Sequence, residues 1–328
     1  MTELSDPLAI EVRGLVKRYS GRRGQPDVEA VRGIDLAVRR GEVFGFLGPN
    51  GAGKTTTVRM LCTLLPISDG EARVTGIDVR ADPAAVRRRI GVALQEVGLD
   101  PTQTGRELLE LHCGLYRIQD PAARSAELLR LVGIEDAADR TVKAYSGGMK
   151  RRLDLATALV HEPDVLFLDE PTTGLDPASR MTVWDEVRRI NASGTTVFLT
   201  TQYLEEADQL CERVAIIDEG KIVAAGTPDA LKAEMGSDVL IVGLDRAQHD
   251  QARDALATLA GLHHVTDAKE GLAVYVENGA VAVADVVQLL NVVLIHPTSI
   301  TLSRPSLDDV FLAATGRRIE GGSPVAAA

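Results

Sequence analysis

Hydrophobic and polar positions along the chain follow two rhythms. From residue 8 to about 235, short apolar runs alternate with longer amphipathic stretches. "VFGFL" (43–47), "VLFL" (165–168), "TVFLT" (196–200) and "VAII" (214–217) contain little polar alternation. Such runs suit strands buried on both faces of a parallel sheet covered by helices. Helix starts carry a repeated mark, at Asp82-Pro83, Asp120-Pro121, Asp176-Pro177 and Thr227-Pro228. The first residue of each pair offers an oxygen to the orphan amides of a first turn, and Pro suits the first helical position.

Residues 104–160 interrupt the alternation. "TGRELLELHCGLYRI", "PAARSAELLRLVGI" and "SGGMKRRLDLATALV" read as three helices without a strand between them. A helical subdomain over about 100–160, inserted beside a sheet core, is the expected arrangement. Near "KAEMGSD" (232–238) the character changes to "VLIVGL", "RAQHDQARDALATLAG", "HHVTDA", "LAVYVEN", "VADVVQLLN" and "ITLSRPSLDDVFLAA". The pattern therefore predicts an α/β domain over 8–235, a small α+β domain over 236–315, and a disordered tail over 316–328. Within the second domain, Ser306 and Asp309 have the spacing of a helix capping pair.

Composition narrows the choices. The 328 residues are 45% hydrophobic and 25% charged, ordinary for a globular protein. A net charge of −11 repels phosphate backbones and argues against nucleic acid as a partner. Cys62, Cys113 and Cys211 are odd in number and widely spaced, which fits reduced core thiols in a cytoplasmic protein better than a disulfide framework or a zinc site. The start lacks the apolar region of a signal peptide. The best candidate for a membrane span, "VAVADVVQLLNVVLIH", is short and carries Asp285.

The chemistry begins directly after "VFGFL". "GPNGAGKTT" (48–56) matches G-x-x-x-x-G-K-[ST], a pattern met by accident in about one chain in a hundred of this length. Gly48, Gly51 and Gly53 let backbone amides close around anionic oxygens, with Pro49, Asn50 and Ala52 completing the loop. The following helix adds its positive end. Lys54 is placed to bridge β- and γ-phosphates, Thr55 to ligate Mg²⁺, and Thr56 to add a further hydroxyl. "VLFLDEP" supplies the remaining carboxylates: Asp169 for the metal, through water, and Glu170 as general base for the attacking water. Two adjacent acids ending a buried strand are costly unless a cation or hydrogen bonds offset them.

At this point the chain resembles the ATP-binding cassette (ABC) ATPases across roughly residues 8–235. The discriminating stretch is "YSGGMKRRLDLA" (145–156), similar to the family signature Leu-Ser-Gly-Gly-Gln with Tyr145 and Met149 departing at the ends. Alone, Ser146-Gly147-Gly148 would be a commonplace helix cap; between the two motifs above it gains meaning. The resemblance implies a phosphate-loop ATPase fold, with a mixed sheet flanked by helices and the inserted helical subdomain. It implies that Tyr19 stacks on adenine, that Gln95 senses metal and attacking water, and that Asp176 lies on a loop crossing a dimer interface. It further implies that Ser146, Gly147 and Gly148 act in trans, so that two copies of the chain enclose each ATP head to tail. A separate membrane permease would supply the channel, with the chain docked on the cytoplasmic face.

"LTTQYLEEADQLCERVAIID" and the terminal "PSLDDVFLAATG" resemble the daunorubicin-resistance type of exporter ATPase. That resemblance implies export of drugs, antibiotics or lipid-like compounds. Most ABC ATPases have a histidine where this chain has Gln202; the amide can donate to the γ-phosphate but cannot become cationic. Gln202 is therefore expected to orient the phosphate while Glu170 acts as base. Two other readings compete. A soluble ABC ATPase of translation or DNA repair would more often carry paired cassettes, and a nucleotide-gated regulatory module has no need of Glu170.

Overall fold

The computed structural model describes residues 8–21, 26–95, 98–235 and 238–316. The tail beyond Gly316, expected to be disordered, lies outside the described residues. The chain divides into two compact units, the first ending at Ala225 and the second starting at Gly226.

The first unit opens with β1 (Leu8–Tyr19), β2 (Val28–Arg39), β3 (Val43–Leu47), α1 (Lys54–Leu61), β4 (Asp69–Val74), β5 (Ile77–Asp78), α2 (Pro83–Arg87) and β6 (Ile90–Ala93). Three helices follow, α3 (Gly105–Tyr116), α4 (Pro121–Leu131) and α5 (Gly147–Ala158), as the sequence predicts. The unit then returns to alternation with β7 (Val165–Asp169), α6 (Pro177–Ala192), β8 (Thr196–Thr201), α7 (Leu204–Leu210), β9 (Arg213–Asp218) and β10 (Lys221–Gly226).

All four apolar runs are strands of one six-stranded sheet, ordered β10-β9-β3-β8-β7-β6. The pairs β3–β8, β3–β9, β7–β8 and β6–β7 are parallel. Every residue of β3, β7 and β8 is buried, which explains the missing polar alternation. A second, antiparallel sheet runs β2-β1-β4-β5. Its inner residues Ile10, Leu15 and Val31 share one apolar core with Phe44, Phe46, Phe167 and Phe198 of the parallel sheet. Phe198 lies at the middle, its ring 5.7, 5.6 and 5.5 Å from those of Phe44, Phe46 and Phe167. Burying each such ring contributes about 1.5–3 kcal/mol.

The helix starts behave as their sequences direct. Asp82, Asp120 and Asp176 each accept a hydrogen bond from the amide three residues on, with Pro in the first turn. The three cysteines are free and buried. Among the described residues, no helix is long and apolar enough to cross a membrane.

The second unit contains α8 (Pro228–Glu234), β11 (Asp238–Gly243), α9 (His249–Leu256), β12 (Leu262–Ala268), β13 (Gly271–Val276), α10 (Gly279–Val292), β14 (Ser299–Ser303) and α11 (Leu307–Thr315). Its antiparallel sheet is ordered β12-β13-β11-β14. Leu240, Val242 and Val274 pack against Leu256, Val286 and Leu290 in a core of its own. Ser306 and Asp309 form the capping box that their spacing suggests.

Candidate nucleotide and metal site

Strand order creates the site. β3, β8 and β7 are neighbours and parallel, so their carboxyl ends open at one edge, where ligands of open α/β sheets bind. Register sets Leu47 beside Thr201 and Asp169 beside Thr200. The loop after β3 is pinned from both sides: the Gly48 amide donates to the Thr201 carbonyl (3.3 Å) and the Gly220 amide to that of Ala52 (2.9 Å). This close approach explains two of its glycines. A Cβ on Gly48 would stand 2.2 Å from the Ile217 carbonyl oxygen, and one on Gly53 2.5 Å from that of Ala30. Gly53 also has φ 111°, open to glycine and strained for any other residue.

Lys54 opens α1 and folds back over the loop. Its ammonium donates to the carbonyls of Gly48 (2.7 Å) and Pro49 (3.1 Å) and lies 3.2 Å from Glu170 Oε1. Burial pushes the Lys54 pKa down, while the charges of Glu170 and Asp169 pull it back up. Thr55 Oγ1 donates to Asp169 Oδ1 (3.2 Å), which also accepts from Thr200 Oγ1 (2.6 Å). The other oxygen, Asp169 Oδ2, is buried and has no hydrogen-bond partner. A buried carboxylate oxygen beside a threonine hydroxyl is a donor set that fits a hard cation or its water.

Glu170 turns out of β7 with φ 50°, an unusual conformation for a non-glycine residue. Its amide is held by the Thr200 carbonyl (3.1 Å) and hydroxyl (3.0 Å). Thr173 Oγ1 reaches its second carboxylate oxygen at 3.3 Å. Lys54, Thr55, Thr56, Gln95, Glu170 and Gln202 line one cleft of about 410 Å³, with Asn50, Gly51 and Gly53 of the loop. Gln202, at the end of β8, thus faces the same space as Lys54 and Glu170.

Other residues singled out from the sequence stand outside that cleft. Ser146 caps α5, accepting from the Met149 amide at 3.2 Å, and it and Gly147 are exposed. Gly147 lines a second cleft of about 480 Å³, shared with Gln95, Glu170 and Leu175. The Cβ of a residue replacing Gly148 would lie 3.1 Å from Ser179 Oγ. Asp176 caps α6 through the Ser179 amide (3.0 Å) and hydroxyl (2.6 Å), and these bonds lower its pKa. Tyr19 ends β1 at 40% exposure, with the Lys17 ammonium 5.2 Å from its ring centre.

Three residues of the site carry no motif signal. Thr200 ties Asp169 to the Glu170 amide from inside an apolar strand. Glu206 is fully buried, accepting from Thr172 Oγ1 (2.8 Å) and Trp184 Nε1 (2.9 Å), and burial raises its pKa. Arg151 is buried beneath the Glu170 turn. A buried charge can be suspected where a charged residue falls on the apolar face of a predicted helix, which is the signal Arg151 and Glu206 share.

A glycine-rich loop between strand and helix, its lysine against the carboxylates of a neighbouring strand, defines a phosphate-loop ATPase. Known proteins narrow the class. Residues 31–173 match the family described as ABC transporter. Residues 226–315 match that described as ATP-binding protein DrrA1-3-like, C-terminal domain. The daunorubicin resistance ATP-binding protein DrrA3 of Streptomyces coeruleorubidus is 48% identical over 316 residues, 95% of this chain and 98% of the relative. The daunorubicin/doxorubicin resistance ATP-binding protein DrrA of Streptomyces peucetius is 47% identical over 324 residues, 98% of this chain and 96% of the relative. The dimeric post-hydrolysis state of the ATP-binding cassette MJ0796, bound to ADP and Pi, overlays with a TM-score of 0.60 at 24% identity, covering 66% of this chain and 98% of that one, a likeness of fold. The chain belongs to the ABC transporter ATP-binding proteins, in the daunorubicin-resistance group.

Proposed function

We propose that this ATPase powers export of drug-like compounds through a separate permease, and that two copies close head to tail around ATP to do so. The observation that carries the reading is the convergence of Lys54, Thr55, Glu170 and Gln202 on one cleft at the ends of β3, β7 and β8. Lys54 and the loop amides bind the β- and γ-phosphates, and Tyr19 stacks on the adenine. Thr55, Gln95 and, through water, Asp169 would hold Mg²⁺, which would supply positive charge beside the phosphate oxygens. Glu170 takes the proton of the attacking water, and the Gln202 amide donates to the γ-phosphate. Gln95 orients the attacking water. Ser146, Gly147 and Gly148 of the second copy present amides from a helix N-terminus to the same phosphate, and the Asp176 loop lies between the copies. The exposure of Ser146 and Gly147 supports that role.

Export of anthracycline-like compounds is supported by the names of the relatives, which are resistance proteins. The chain would act on the cytoplasmic face of the membrane, docked on its permease. The test is co-expression with the permease that it co-purifies with, in cells loaded with a fluorescent anthracycline. Lower accumulation that depends on Lys54 supports the reading. Equal accumulation with and without the chain, or co-purification with ribosomes instead of a membrane protein, rules it out.

A further inference from the structure

Arg151 lies on α5 five residues after Ser146 and is 5% exposed. A guanidinium removed from water must place its donors on protein acceptors. Those acceptors come from three segments. Nε donates to the Pro171 carbonyl (3.0 Å), Nη2 to that of Asp169 (3.1 Å) and Nη1 to that of Leu94 (2.5 Å). Nη1 also meets Asp154 Oδ2 at 3.1 Å on its own helix. Asp169 and Pro171 are the residues on either side of Glu170, and Leu94 immediately precedes Gln95.

One side chain therefore grips both flanks of the Glu170 turn and the strand end before Gln95, and carries that grip on the helix that Ser146 begins. The turn needs a grip, because a non-glycine φ of 50° is strained and persists only when its surroundings over-determine it. A lysine cannot replace the planar fork, since its single nitrogen does not span carbonyls in three directions.

We propose that Arg151 is a positioning residue for hydrolysis, locking the Glu170 turn and the Gln95 strand end to the signature helix so that engagement of Ser146 is felt at the base. It rests on the reading of Glu170 as that base. Among the described residues, the hydrogen bonds of Arg151 to the Glu170 and Gln95 segments all go to main-chain carbonyls, so the link sets geometry and leaves the Glu170 carboxylate free to react.

The test compares Arg151→Lys, Arg151→Met, Asp154→Asn and Glu170→Gln as full-length chains, reading phosphate release, affinity for a fluorescent ATP analogue, and melting temperature. Arg151→Lys keeps the charge beside Asp154 and guards against a fold that the methionine does not support. Both Arg151 variants are expected to lose at least about tenfold in kcat, towards the hundredfold that a misplacement of about 1 Å costs, with nucleotide affinity held within about threefold. A matching loss in Asp154→Asn would assign the effect to the ion pair and overturn the proposal. So would kcat, affinity and melting temperature falling together in Arg151→Lys, which is the mark of plain structural support. Wild-type turnover in both Arg151 variants beside an inert Glu170→Gln overturns the positioning role alone. A Glu170→Gln chain that still hydrolyses ATP overturns both readings.

Discussion

Lys54 Nζ lies 3.2 Å from Glu170 Oε1, with the two side chains only 4% and 6% exposed. The lysine that should meet phosphate and the carboxylate that should activate water are thus each other's counter-ions. On the proposed function, a γ-phosphate entering the loop would compete with Glu170 for the same ammonium. Phosphate binding and release of the base would then be one event, tying the onset of hydrolysis to an occupied loop.

Glu170→Gln separates the two roles. The amide keeps the shape of the side chain but cannot accept the proton of water, so kcat should fall by about 10²–10⁴-fold, the range of a lost general base. Because the variant also removes the carboxylate that holds Lys54, ATP affinity should stay equal or rise. Single-turnover phosphate release and equilibrium nucleotide binding on one preparation measure both. Unchanged turnover would remove Glu170 from the mechanism.

Gln202 shares the cleft with Lys54 and Glu170 but is neutral at every accessible pH. Gln202→Ala should slow hydrolysis by about tenfold while changing ATP affinity less than about threefold, as expected of a donor used mainly in the transition state. Gln202→His introduces an imidazole that titrates near pH 6.5. The rate of that variant relative to wild type should then vary between about pH 5.5 and 7.5, whereas the Gln202→Ala ratio stays level. A level ratio for both, or full activity of Gln202→Ala, would return Gln202 to a polar strand end.

The sites legible in the sequence are those where residue type alone specifies the chemistry. Asp169 and Glu170 end one unbroken apolar run, and Lys54 and Thr55 follow another across the glycine-rich loop; Lys54, Thr55 and Glu170 line the cleft, and Asp169 is bonded to Thr55. Strand order was not legible: nothing local says that β8 sits between β3 and β7, and only that order brings Thr200 onto Asp169. Helix periodicity could mark Arg151 as buried, but not its acceptors, because the carbonyls that replace water come from segments distant in sequence. Glu206 is the same case, since its partners Thr172 and Trp184 are brought to it only by tertiary packing. The long strand β1 lacks clean alternation because its register against β2 shifts at four points, whereas β2 alternates buried and exposed over Ile34–Arg39.

Glu186, on α6, is 1% exposed, with Oε1 3.8 Å from Arg152 and Oε2 without a hydrogen-bond partner. Burial raises its pKa from 4.5 to about 8, against the pull of Arg152 and Arg189 and with a small push from Asp185. Between those values the folded chain binds a proton that the unfolded chain has released. Its contribution to stability is therefore complete below about pH 4.5 and lost as pH rises through about 8, a swing on the order of 5 kcal/mol. Glu186→Gln should flatten that part of the stability profile and melt higher than wild type at pH 8. Urea unfolding at pH 5, 6.5 and 8 checks it, and parallel profiles for both chains would show that Glu186 does not titrate in this window.

Lys54 lines one cleft and Gly147, beside Ser146, lines another, and the proposed head-to-tail pair makes Lys54 and Ser146 partners across two copies. Lys54→Ala should disable the loop that binds phosphate. Ser146→Arg should block the signature by placing a bulky cation at an exposed helix cap. Each variant alone then forms dimers in which both composite sites are broken. In a mixed dimer, one site carries both lesions while the other joins an intact loop to an intact signature. Equal mixing makes half the dimers mixed, each with one working site of two, so the mixture should recover about a quarter of wild-type ATPase activity. ATP hydrolysis by the two inactive variants, measured apart and after mixing with the permease present, reads this directly. No recovery on mixing would place each site within a single copy and remove Ser146 from the partner's ATP.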